Sequence, residues 1–206
     1  YYYRLGKLQA CPSKRITLKK KIRKDENGNI IPDRTPKQRK NNTKFTFARY
    51  MFAFIRKRFG DLPVWKIAAA QRGMTDDNLI QSTNYKYLDE KGKILDMEGF
   101  QVSLGPLALP LNLRATRDGT LVTITWDDSR DEPSAAPTDR MMVGIFYADY
   151  RNTFTLEKET GATRRDGKCE ITLRDDDGEV CIHPFFARAD NTAFSEDKAI
   201  TLPDTE

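Results

Sequence analysis

The apolar residues of this chain change period near residue 100: over the middle third before it they recur at three- and four-residue spacing, after it they alternate. The first period belongs to helices with one buried stripe and the second to strands with one buried face, so the chain has to build a helical part and a sheet part. Phe100-Gln-Val-Ser-Leu104 alternates as a strand, and Gly105-Pro106 with Pro110 marks the crossing into the second region. Further strands are expected over 111–116, 121–126, 141–147, 154–157, 169–173, 180–187 and 199–202, with turn signals such as Arg117-Asp-Gly119, Asp166-Gly167 and Asp177-Gly178 between them. Short strands at this spacing, joined by turn chemistry, read as an antiparallel sandwich.

Upstream of residue 100, Arg15-Ile-Thr-Leu-Lys-Lys-Lys-Ile-Arg23 alternates basic and aliphatic positions and runs into Asn27-Gly28. Asn-Gly supplies the positive φ angles of a tight turn, and Ile30 and Ile31 offer a return strand, which predicts a basic β-hairpin over about 14–32. Only three aliphatics hold its apolar face, so such a hairpin must lean on something else. Thr35-Pro36-Lys37-Gln38 then reads as a capping box with Pro at the first helical position, predicting a helix over 36–59. Phe45, Ala48, Phe52, Ile55 and Phe59 make one stripe on it, and Phe47, Tyr50 and Phe54 a second, rotated away. Apolar surface that wide suits a core helix wrapped by its own domain or a face held for another subunit. A short helix from Pro63 towards Gly73 and a Thr75-capped helix over 76–88 complete the helical part. The expected architecture is α+β: a basic β-hairpin arm at 1–33, a helical region with a closing strand at 34–105, and an antiparallel β-sandwich at 106–206.

Charge divides the chain as sharply as period does. The first sixty residues carry 18 Lys/Arg against 3 Asp/Glu, and the remaining 146 carry 17 against 27. A basic N-terminal region beside an acidic remainder says little about fold but points to charged partners, either phosphate or an acidic protein surface. No stretch approaches the roughly 20 apolar residues of a membrane-spanning helix, so a soluble chain without membrane insertion is expected.

The sequence carries no recognised catalytic or metal-binding pattern. Cys11, Cys169 and Cys181 form no CxxC pair, and with His183 as the one histidine they make no four-ligand zinc site. Cys169 and Cys181 could pair, but buried free thiols are the default for so sparse a set. There is no Gly-rich phosphate loop, HExxH, GxSxG or dinucleotide fingerprint. His183 sits in an apolar strand with Cys181 two residues before it, a structural histidine rather than a base by default. Asp175-Asp-Asp-Gly-Glu179 fails as a calcium loop, because placing Asp177-Gly178 at the loop's fifth and sixth positions puts Leu173 where the first acid must stand. No cofactor, metal or catalytic residue is therefore assigned, and the chain is not expected to be an enzyme.

Two resemblances extend this reading. Pro110-Leu-Asn-Leu-Arg-Ala115 followed by Gly119-Thr-Leu-Val-Thr-Ile-Thr-Trp126 resembles the first two strands of a fibronectin type III (Ig-like) domain, with Leu113, Val122, Ile124 and Trp126 at the inward positions and Val143, Ile145 and Tyr147 suiting the next strand. Residues 173–187 depart from it, lacking the Tyr usual in that family's later strand and carrying Pro184. In addition, Thr35-Pro-Lys-Gln38, Gly73-Met-Thr75 with Asn78 and Asn84, Ser103-Leu-Gly-Pro-Leu107 and Val122-Thr-Ile-Thr-Trp126, in that order, resemble a functionally uncharacterised family of small bacteroidete proteins. That resemblance implies an architecture and no activity.

The function expected from these features is that of a non-enzymatic structural or interaction protein in a homo-oligomer or larger assembly, in a virion-like or cell-surface setting. Arg15, Lys19, Lys21, Arg23, Lys37, Arg39 and Lys40 would dock on an acidic partner, Phe47, Tyr50 and Phe54 would supply apolar contact, and Asp127, Asp128 and Asp131 would supply the acidic counterpart. The alternative is a nucleic-acid-binding protein using the same basic arm.

Overall fold

The computed structural model describes residues 2–4, 7–9, 26–28, 35–127, 132–148, 153–174 and 178–204. The chain forms two compact units, Tyr1–Arg39 and Lys40–Glu206. In the first, strand β1 (Tyr2–Arg4) pairs antiparallel with β2 (Lys7–Gln9), a pairing the sequence reading did not anticipate. Residues 26–28 form a turn in which Gly28 has φ 81°, as Asn-Gly chemistry requires. The remainder of the basic hairpin expected over 14–32 lies outside the described residues.

Helix α1 (Pro36–Phe59) begins as its capping box dictates. The Gln38 N–H donates to Thr35 Oγ1 at 3.2 Å and the Thr35 N–H donates to Gln38 Oε1 at 2.9 Å. Its far end is closed by Gly60 at φ 60° and by Lys158 Nζ, which donates to the Phe59 carbonyl at 2.7 Å, a cation where the helix dipole favours one. Helices α2 (Val64–Gln71) and α3 (Asp76–Asn84) follow, with a 3₁₀ turn at Tyr85–Tyr87 where the sequence had suggested continuous helix to residue 88. The Thr75 hydroxyl caps α3, accepting from the Asn78 N–H at 3.3 Å.

Two antiparallel sheets complete the α+β fold. Strands β3 (Arg114–Asp118), β4 (Leu121–Thr125) and β7 (Lys168–Thr172) form a three-stranded sheet in the order β3-β4-β7. Strands β5 (Arg140–Tyr147), β6 (Phe154–Glu157), β8 (Val180–Ala187) and β9 (Ile200–Leu202) form a four-stranded sheet in the order β6-β5-β8-β9. Alternation along β5 and β8 sorts their side chains into two cores. Met141, Val143, Ile145, Tyr147, Val180, Ile182 and Phe186 face the three-stranded sheet and pack with Val122, Ile124, Cys169 and Ile171. Met142, Phe146, Cys181, Phe185 and Ala187 belong to a second core with Phe52, Ile55, Phe59, Trp65 and Ile80 of the helices. The four-stranded sheet is thus the middle of three layers, which is why β5 and β8 read as nearly continuous apolar runs.

Aromatic contacts seat α1 on that middle sheet: the Phe59 ring lies 6.0 Å from Phe154 and 6.4 Å from Phe185. Each buried phenylalanine contributes about 1.5–3 kcal/mol, whereas exposed ion pairs such as Lys40 with Glu90 contribute about 0–1 kcal/mol. The apolar stripe, not the charges, fixes the helix in place. Gly144 of β5 makes room for the same core, since a Cβ there would stand 2.9 Å from Phe154 and 3.0 Å from Val102.

Two local expectations change. Residues 100–104 bury Phe100, Val102 and Leu104 as expected, and Ser103 with them, but join no ladder, because side chains satisfy much of their backbone. Asn84 both accepts from the Gln101 N–H at 2.8 Å and donates to its carbonyl at 2.9 Å, and the Val102 and Ser103 N–H groups donate to Asp197. The strand expected from residue 111 starts at Arg114, since Asn112 takes φ 52° in a turn. Pro184 is accommodated inside β8 because β9 pairs only with Val180–Ile182, leaving Pro184 beyond the end of that ladder.

Trp126 stands between the sheets at the end of β4, 5% exposed, edge-on to Phe186 with ring centroids 5.6 Å apart. Its Nε1 donates to the Arg164 carbonyl at 2.7 Å, and the buried Arg164 guanidinium lies over Phe186 and pairs with Asp139. Trp126→Ala should cost ~3–5 kcal/mol in chemical denaturation; a loss under about 1 kcal/mol would remove Trp126 from the core contacts described.

Candidate interaction surface

Helix α1 carries eight Lys or Arg residues and no Asp or Glu along its 24 positions. Its first apolar stripe is buried at Ala48, Phe52, Ile55 and Phe59, joined by Met51, but Phe45 at the head of that stripe is 42% exposed. Phe45 lies a turn ahead of the first buried position, so the spacing that marks it as core does not find a core to enter. The second stripe divides. Tyr50 is 69% exposed, Phe47 is 43% exposed, and Phe54 is half-buried beneath the Arg58 guanidinium at 4.9 Å. Phe47 leans on the turn at Gly92, where a Cβ would fall 2.7 Å from its own.

Between these aromatics runs a groove of about 370 Å³ lined by Phe45, Thr46, Arg49, Tyr50 and Ala53, with Arg56 and Asp77 at one end. The spacing of 45, 49 and 53 places them one above another along the helix, with 46 and 50 on the adjoining row. Most of the nearby cations are engaged. Arg56 pairs with Asp76 at 3.2 Å and Asp77 at 2.8 Å, Lys44 stands 4.6 Å over the Tyr85 ring, and Lys40 pairs with Glu90. Arg49 has no ion-pair partner among the described residues, and it sits in the groove between Phe45 and Tyr50. Phe45 and Arg49 were missed in the sequence, the first because its spacing assigned it to the core and the second because nothing distinguished it from other cations.

Of the other partner residues expected from sequence, Lys37, Arg39 and Lys40 are exposed on the first turns of α1. Asp127 is exposed and accepts from Asn112 Nδ2 at 2.6 Å. Arg15, Lys19, Lys21, Arg23, Asp128 and Asp131 lie outside the described residues.

A second arrangement of chemical interest is buried. On β8, Cys181 and His183 share a face, with Cys181 Sγ 3.4 Å from His183 Nε2, and His183 Nδ1 is 2.6 Å from Asp197 Oδ2. Thiol, imidazole and carboxylate stand in the order of a nucleophilic triad. Cys181 and His183 are 0% exposed and the Asp197 side chain 2%, so no surface leads to the sulfur. Asp197 Oδ1 accepts from the Val102 N–H at 2.9 Å and the Ser103 N–H at 2.8 Å. The chain therefore acts as a tether joining β8 to the two segments beside it. Sequence placed Cys181 and His183 on one face but could not find Asp197, which is fourteen residues on and reaches back through a loop.

Cys169 and Cys181 are both free and buried, in separate cores, so no disulfide joins them. Burial pushes the Cys169 thiol up, with the Thr160 hydroxyl opposing it. No group of three or more His, Cys, Asp or Glu that could hold a metal ion occurs among the described residues, and no helix there is long and apolar enough to cross a membrane.

No protein-family model matches this chain, and no curated protein matches it. Among solved structures, one titled "Myokine structure" aligns with 49% of this chain and all of its own, at 17% identity and a TM-score of 0.36. A likeness at that score carries no conclusion about fold or function.

The tether makes stability depend on pH. Burial alone would lower the His183 pKa, but the hydrogen bond to Asp197, then contact with Cys181 and the Asp197 charge, raise it to about 9 from 6.5. A folded pKa above the unfolded one stabilises fully below about pH 6.5 and is lost as pH rises through 9, an effect of ~3 kcal/mol at most. Denaturation at pH 6, 7.5 and 9 should show that decline in the wild type and a shallower one in His183→Gln. Equal slopes in the two proteins would rule out the charged tether.

Proposed function

We propose that this chain is a non-catalytic structural or interaction protein of a larger assembly, and that it grips an acidic protein surface with the basic, aromatic flank of α1. The observation that carries this reading is a helix with eight cations and no anion whose solvent side leaves Phe45, Phe47 and Tyr50 exposed around Arg49, which has no ion-pair partner among the described residues. Exposed aromatics grouped on one face cost solubility unless a partner covers them. Tyr and Arg are the residue types that dominate binding energy at interfaces, while the surrounding charge speeds encounter and selects an oppositely charged partner. The basic N-terminal residues Arg15, Lys19, Lys21 and Arg23 extend the same preference in sequence.

The sandwich is read as a fibronectin type III-like platform. Seven strands divided three and four, Trp126 between the sheets and the inward Leu113, Val122 and Ile124 support that reading. A virion-like or cell-surface setting follows by analogy with the work such platforms do. The second reading, nucleic-acid binding, draws on Lys44 and Arg49 alternating with Phe45 and Tyr50 on α1, a pairing of cations with stacking surfaces that single strands use.

Sedimentation at about 50 and 500 mM salt, with and without unrelated DNA and RNA oligonucleotides, separates the two. Association that weakens with salt, ignores nucleic acid and falls in Phe45→Ser/Tyr50→Ser is expected. A monomer at all concentrations that binds unrelated oligonucleotides with submicromolar affinity would establish the second reading instead.

A further inference from the structure

A second groove, of about 330 Å³, has the opposite chemistry to the one on α1. Leu95, Asp96, Met97 and Glu98 line it together with Ile94, Glu179 and Thr201, and no basic side chain is among them. Leu95 is 60% exposed at its lip, one of the most exposed large apolar residues described. Its carboxylates are held rather than loose. Asp96 Oδ1 accepts from the Gly99 N–H at 2.8 Å, and Glu98 Oε1 accepts from Thr201 Oγ1 at 2.5 Å, while both residues stay exposed. Carboxylates fixed in advance lose little freedom when a cation meets them.

Resting on the reading proposed above, we infer that the acidic groove at residues 94–98 of one copy docks on the α1 groove of another copy of this chain. The two surfaces are complementary in both respects that matter. Exposed Leu95 meets the exposed rings of Phe45 and Tyr50, and Asp96, Glu98 and Glu179 meet Arg49, the groove arginine without an ion-pair partner among the described residues. Because different patches of the same molecule meet, the contact is heterologous. Every copy that has docked by one patch still offers the other, so association continues until it closes into a ring or extends as a filament.

The test uses two full-length variants that each disable one patch. Arg49→Glu/Tyr50→Ser keeps the acidic groove, and Glu98→Arg/Glu179→Arg keeps the α1 groove. Thermal melts check that both fold, with Glu98→Gln/Glu179→Gln as a milder replacement if the reversal does not. In sedimentation velocity at about 50 mM salt, wild type should form species larger than dimers, each variant alone should associate at least ~10-fold more weakly, and an equimolar mixture should give a 1:1 dimer that grows no further. A mixture that stays monomeric, or a wild type that stays monomeric at several hundred micromolar, overturns the inference. Wild-type-like assembly by the acidic-groove variant, with assembly lost in the α1 variant, overturns it too but leaves the α1 face gripping a different surface of the neighbouring copy.

Discussion

Everything else in the second unit depends on β5 and β8 being buried on both faces. Their eight-residue pairing is the longest ladder among the described residues, and each strand gives alternate side chains to a different core. A sheet used in this way has no solvated face on which a polar residue can sit at little cost. The polar group that does enter, His183, is therefore bonded at both ring nitrogens. Gly144, directly across from it in the register, gives up its side chain so that Phe154 and Val102 can close over the same layer. Helices and outer sheet are both clients of this pair, and neither touches the other's core.

That arrangement also explains what α1 exposes. Its C-terminal half has the middle sheet to lie on, through Phe59, Phe154 and Phe185, while its N-terminal half passes beyond the core with aromatics still on its surface. The helix satisfies part of its charge locally, with Asp76, Asp77 and Glu90, and leaves Arg49 facing an open groove. One flank of the helix is a core stripe, and the other leaves Phe45, Phe47 and Tyr50 exposed.

Period and punctuation carried the elements but not their partners. The Thr35–Gln38 capping box, the change of period, and strands such as 154–157 and 180–187 were legible because they are set by local chemistry. Residues 100–104 defeated the same logic. Their apolar residues alternate in sequence, yet their backbone N–H groups donate to Asn84 and Asp197, and no local signal separates a strand in a ladder from an extended segment bonded by side chains. The α1 groove was half legible for a related reason. Tyr50 stood out by rotation from the core stripe, whereas the exposure of Phe45 depends on where the core ends, which is a property of the packed molecule.

The carboxylate of Asp197 reaches the backbone of residues 94 and 95 positions earlier in the chain. During synthesis the helices and the whole of the outer sheet leave the ribosome before it does. Until it arrives, the buried N–H groups of Val102 and Ser103 lack the acceptor they have in the folded protein, and β8 lacks the anchor for His183. The segment that closes over the helical core is therefore fixed by a residue made after the helices, the outer sheet and β8, a contact of long sequence separation that can form only late in folding.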